Sequence, residues 1–151
     1  MNTTALEFLK IQLDFNYDVL TKNIKGISNG EALVFPNRDV NCANWVLGHL
    51  IMVRNALIKI LGGNAVWNDD EFLFYNRGEK PLEQKDNFIA FETLVSYLKD
   101  TQNEFNRILA KKESLEEEHL QDLAGLSLHE IYHCGQLGTL RRLLGKEGAI
   151  K

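Results

Sequence analysis

Apolar residues recur at helical spacing along nearly the whole chain, and that period leaves little room for a sheet. Leu6, Leu9, Leu13, Tyr17, Leu20 and Ile24 follow one another at steps of three or four, which places them on one helix face. Thr4 and Glu7 have capping-box spacing at its start, and Gly26 suits its end. A second helix is predicted from about Asn41 to Leu61, with Trp45, His49, Met52, Ala56 and Ile60 as its stripe and Gly62-Gly63 as its stop. A third is capped near Asp86 and carries Phe88, Phe91, Val95, Leu98, Gln102, Phe105 and Leu109. A fourth begins near Ser114 and shows Leu126, His129, His133, Leu137, Leu140 and Leu144, with Arg141 and Arg142 suited to its negative end.

Residues 62 to 84 have no helical pattern, yet they hold Phe72, Phe74 and Tyr75, so they are expected to fold over the helices. Neither Ala32-Leu33-Val34-Phe35 nor Phe72-Leu73-Phe74-Tyr75 suffices for a sheet. The expectation is an all-α chain, one domain over residues 1–151, built as an up-down four-helix bundle with antiparallel sequence neighbours.

Composition narrows the function. The net charge of −4 offers no basic surplus to displace counterions, which argues against a nucleic-acid partner. Two cysteines cannot form a disulfide scaffold and suit a reducing compartment. No apolar run approaches the roughly 20 residues of a membrane span. No secretory leader is visible, so the expected location is cytoplasmic.

The histidines are the unusual feature. His129 and His133 are four apart and stack on one helix face, in places where the stripe calls for apolar residues, and His49 does the same on the second helix. Buried imidazoles need partners for their nitrogens. One divalent metal shared by His49, His129 and His133 would supply a common partner, since neutral imidazole ligates zinc, nickel, copper and iron. Separately hydrogen-bonded core histidines are the other reading. Trp45 would wall such a site, Tyr132 would line it, Gln136 would support a ligand, and Glu130 would serve as a base or as outer support, or else lie on the helix surface. Cys134 points about 100° away from His133 and suits packing, while Cys42 at a helix start could favour a thiolate. His119 sits in an acidic surface run.

His129-Glu130-Ile131-Tyr132-His133 also spells H-E-x-x-H, the zincin signature of two ligands and a general base. The longer form of that motif needs Gly at 136 and His at 139, where this chain has Gln136 and Thr139. A zincin-type hydrolase is therefore a remote alternative.

The stretch Asn41-Cys42-Ala43-Asn44-Trp45-Val46-Leu47-Gly48-His49-Leu50 resembles the N-x-x-x-W-x-x-x-H-L signature of the DinB-like superfamily. His129 through Leu137, followed by Leu140-Arg141-Arg142 and Gly145, is similar to that family's closing H-x-x-x-H-x-G-Q helix. The resemblance implies a commonly dimeric bundle with one nickel or zinc ion on His49, His129 and His133. It further implies a metal-dependent enzyme, a thiol-dependent S-transferase or a hydrolase, acting on a small molecule with a low-molecular-weight thiol. The alternative is a non-catalytic metal-binding or dimerising protein of a stress response. A second apolar strip, Phe8, Ile11 and Phe15, suits a homodimer face or a wider core.

Overall fold

The computed structural model describes residues 3–150. Four long helices account for most of them: α1 Thr3–Ile24, α3 Ala43–Ile60, α5 Phe91–Leu109 and α6 Leu120–Leu143, with one-turn helices α2 Asn29–Ala32 and α4 Pro81–Gln84 between them. Among the described residues there is no strand; Asn37 and Val40 form an isolated bridge. No helix among the described residues is long and apolar enough to cross a membrane.

Several boundaries differ from the sequence expectation. The third long helix opens after Ala90 rather than at Asp86, because residues 85–87 form a separate 3-10 turn. The fourth opens at Leu120 behind the turn Glu117–His119, so Ser114 lies in the preceding connection and caps nothing. Gly26 and Gly62 do stop their helices, each at the positive φ that only glycine takes without strain.

The packing order is a second departure. Asn16 meets Glu130 and Asn23 meets the Cys134 carbonyl, so α1 and α6 advance side by side in parallel. Asn44 bonds Ile89 and Arg54 bonds Gln102, which makes α3 and α5 parallel as well. Across the other two contacts the direction reverses: Asp14 meets Gln102 while Ile24 lies beside Phe91, and His49 meets His133 while Arg54 meets Glu130. The four helices therefore run up, down, down, up, and sequence neighbours α1 and α3 sit diagonally rather than side by side. Parallel α3 and α5 cannot be joined by a tight turn. The chain must return along a helix roughly 28 Å long. Residues 61–90 make that return, which is why the longest unpatterned stretch lies there.

That crossover is packed, as its aromatic content implies. Tyr75 is fully buried and Trp67 nearly so, with Phe72, Phe74 and Phe88 stacked about them. α3 is buried on almost every side, since it lies between α5, α6 and this crossover. Two apolar clusters fill the bundle, one around Leu47, Leu50, Ile51 and Leu137, the other around Leu13, Leu57, Phe105 and Leu123. Each fully buried Leu or Phe contributes about 1.5–3 kcal/mol relative to exposure.

Candidate metal centre

The crossover and α3 build half of the site together. Asn44 donates to the Ile89 carbonyl at 2.9 Å and accepts from the Tyr75 hydroxyl at 2.8 Å, which pins the crossover to the start of α3. Trp45 donates its indole N–H to the Phe74 carbonyl at 2.9 Å and stacks flat on His49, with ring centroids 4.9 Å apart. Gly48 leaves room for the Tyr75 ring, which any Cβ at that position would overlap. So held, the Tyr75 carbonyl accepts from His49 Nδ1 at 2.8 Å. A carbonyl can only accept, so Nδ1 carries the proton and the neutral ring presents its lone pair at Nε2.

α6 supplies the other half. His133 Nδ1 donates to the Gln136 side-chain carbonyl at 2.6 Å, and the Gln136 amide donates to the Tyr132 hydroxyl at 3.0 Å. The proton is again fixed at Nδ1 and the lone pair exposed at Nε2. His129 Nε2 then lies 3.0 Å from His49 Nε2 and 2.9 Å from His133 Nε2. A neutral His129 has at most one N–H there, so at least one of these contacts sets lone pair against lone pair. A cation at the meeting point removes that conflict. Two imidazole nitrogens each about 2.0–2.1 Å from one ion stand roughly 3 Å apart, so the spacing fits a shared divalent metal. No other group of histidine, cysteine and acidic side chains among the described residues comes together this way.

Electrostatics favour the metal-binding form. Burial is the main cause that lowers the proton affinity of all three rings, and it brings His133 down to about 4 even though the Gln136 bond acts in the opposite sense. At neutral pH the imidazoles are uncharged donors, so a metal displaces no proton from them.

Glu130 lies elsewhere than its motif suggests. It is fully buried, not on the helix surface, with Asn16 Nδ2 at 3.0 Å from one oxygen and Arg54 Nη1 at 3.2 Å from the other. Arg54 is equally buried. It bonds Gln102, and its guanidinium lies 4.9 Å over the Phe105 ring. The charges attract without the alignment of a hydrogen bond, and Arg54 Nε, Arg54 Nη1, Ser127 Oγ and Glu130 Oε1 have no hydrogen-bond partner. A carboxylate engaged by Arg54 and Asn16 is a bundle-core charge, not a zincin-style base beside the histidines.

Of the remaining candidates, Cys134 packs in the core, where burial pushes its thiol up to about 12. Cys42 does precede the first residue of α3, but burial raises its thiol too and outweighs any helix-end stabilisation of a thiolate. His119 lies away from the cluster, 3.7 Å from Glu118. Sequence patterning missed Asn44, Tyr75, Arg54 and Asn16. An arginine within the mostly apolar stretch Leu50-Ile51-Met52-Val53-Arg54 was the one visible signal for the buried pair. The role of Tyr75 rests on its backbone carbonyl, which no residue-type pattern can flag.

Comparison with known protein families finds no match, and no curated protein matches the chain.

Proposed function

We propose that this chain is a mononuclear divalent-metal protein of the DinB-like type that holds nickel or zinc on His49, His129 and His133 and acts enzymatically on a small molecule. The observation that carries the reading is the meeting of three imidazole Nε2 atoms, two of them with Nδ1 already committed as a donor. Three protein ligands leave a position open, which is the pattern of catalytic rather than structural sites. A metal bound there would supply Lewis acidity, able to lower the proton affinity of a water or a thiol. Within the site, Trp45 holds the His49 ring flat, Tyr75 and Gln136 set the two tautomers, and half-buried His129 with exposed Tyr132 forms the edge open to solvent. This edge suits a small substrate, including the low-molecular-weight thiol of an S-transferase.

Phe8, Ile11 and Phe15 are each about two-thirds exposed, and they support a homodimer face rather than a wider core.

Elemental analysis of tag-free protein tests the metal. The expected result is one nickel or zinc per chain, lost on His49→Ala or His133→Ala with the helical circular dichroism retained. Stoichiometric absence of metal, or full retention by both variants, would overturn the reading. Among metal-loaded samples, turnover of electrophiles with added thiols would then separate an S-transferase from a hydrolase or a non-catalytic metal protein.

A further inference from the structure

The histidines come from two helices, His49 from α3 and His129 with His133 from α6, so their meeting depends on helix register. A slip of one residue carries a side chain about 1.5 Å along the axis and about 100° around it. Contacts of 3.0 and 2.9 Å between imidazole nitrogens do not survive such a slip. The apolar residues of this region, among them Leu47, Leu50 and Leu137, attract without direction and set no register by themselves. Outside the histidines, the Arg54–Glu130 pair is the one side-chain ion pair or hydrogen bond that joins α3 to α6 among the described residues.

That pair lies close to the cluster. Arg54 follows His49 by five residues, about 7.5 Å along α3, and Glu130 precedes His133 by three, about 4.5 Å along α6. It is also closed into a ring through all four long helices. Asn16 of α1 donates to Glu130 at 3.0 Å, and Glu130 faces Arg54 at 3.2 Å. Arg54 donates to Gln102 of α5, which donates in turn to Asp14 of α1 at 2.8 Å. Asp14 stands at the surface, while Asn16, Arg54, Gln102 and Glu130 are buried. A different register would strand these interior groups without partners, and holding register is the best attested use of a buried ion pair.

Resting on the metal reading above, we infer that Arg54 and Glu130 are positioning residues for the metal centre, their buried pair fixing the register of α3 against α6 that brings His49 to His129 and His133. Neither is a ligand. Both act through the helices that carry the ligands.

The test compares tag-free parent protein with the double variant Arg54→Met and Glu130→Met, and with Leu109→Ala. The double variant leaves the net charge unchanged, so any long-range attraction for an ion is the same. Leu109 is buried in the other apolar cluster and lies outside the ring, so Leu109→Ala loosens the core but spares the pair. Zinc affinity is read by chelator competition at a temperature where circular dichroism shows each protein folded. Cobalt(II) absorption reports the coordination geometry. The expected result is zinc binding at least about tenfold weaker in the double variant, with an altered cobalt spectrum; tenfold is the lower end of what removing the outer supports of metal ligands costs. Leu109→Ala is expected to match the parent in both. Parental affinity and spectrum in the double variant overturn the assignment and leave the metal site standing. Equal losses in the double variant and Leu109→Ala overturn it as well, because general loosening then suffices. If the double variant does not fold, Arg54→Gln with Glu130→Gln, which keeps hydrogen-bonding amides in the layer, carries the same expectation and the same refutation. A parent that takes up neither zinc nor cobalt overturns the metal reading itself and this assignment with it.

Discussion

Replacing Glu130 with glutamine removes one charge from a fully buried pair while keeping nearly the same shape. At the observed 3.2 Å, and with an effective dielectric of about 20, the attraction lost is about 5 kcal/mol. Arg54 would keep the Gln102 carbonyl, the Phe105 and Tyr17 rings and the more distant Asp14 carboxylate, with no carboxylate at ion-pair distance. Leaving a buried charge unpaired in this way costs about 3–5 kcal/mol. That is a fifth or more of the stability of an ordinary domain and corresponds to a fall in melting temperature on the order of 10 °C. The double variant Arg54→Met with Glu130→Met removes both charges together. Its cost is confined to the orphaned amides of Gln102 and Asn16, so it is expected within about 2 kcal/mol of the parent, with a coupling of at least about 2 kcal/mol between the sites. Urea unfolding of the parent, Glu130→Gln, Glu130→Met, Arg54→Met and the double variant, all metal-free in chelator, gives every number needed. A cost below about 1 kcal/mol for Glu130→Gln, or strictly additive single effects, would refute the description of this pair as a closed interior charge balance.

Acid should weaken the metal-free protein in a defined window. An unfolded chain takes up a proton on His133 near 6.5, whereas the folded ring resists until about 4. Stability is thus intact above 6.5 and falls as pH drops below it, by up to about 3 kcal/mol. Glu31 and Glu104, both held near 2, lose their contribution only below the ordinary carboxylate value of 4.5. Melts between pH 7 and 5 therefore isolate the histidines, and a flat profile there would contradict their burial. Gly48→Ala drives a methyl group into the Tyr75 ring and is expected to cost about 1–3 kcal/mol and to weaken zinc in a competition titration. Parental stability and zinc affinity would show that the crossover does not set His49. Phe15→Glu should yield a monomer by sedimentation with helicity unchanged, because the side chain lies outside the core. A parent already monomeric at every concentration removes the dimer proposal.

Most of the helices were legible because residues such as Leu13, Leu20, Leu98 and Phe105 keep helical spacing and are in fact interior. α6 was harder. Its innermost face runs through Leu123, Ser127, Glu130, Cys134 and Leu137, with His129 and His133 at the edge turned toward α3. A hydrophobic pattern reads such a face as surface wherever a charge sits on it, and only the arginine on α3 makes Glu130 an interior residue. The helix order was not legible either. Period sets which face turns inward but carries no direction for the next helix, and only the length of residues 61–90 hinted at a parallel return. The three histidines were readable because imidazoles replacing apolar residues on two stripes have few alternatives once the stripes face each other.

His49 and His129 are 80 residues apart, and the carbonyl that orients His49 arrives between them in chain order. α6 leaves the ribosome after every other element that touches the site. A growing chain can pack α1, α3 and the crossover, yet it offers an incoming ion only one of the three imidazoles. A metal held on the three histidines would therefore load only after synthesis of α6, from whatever the cell makes available then rather than during elongation.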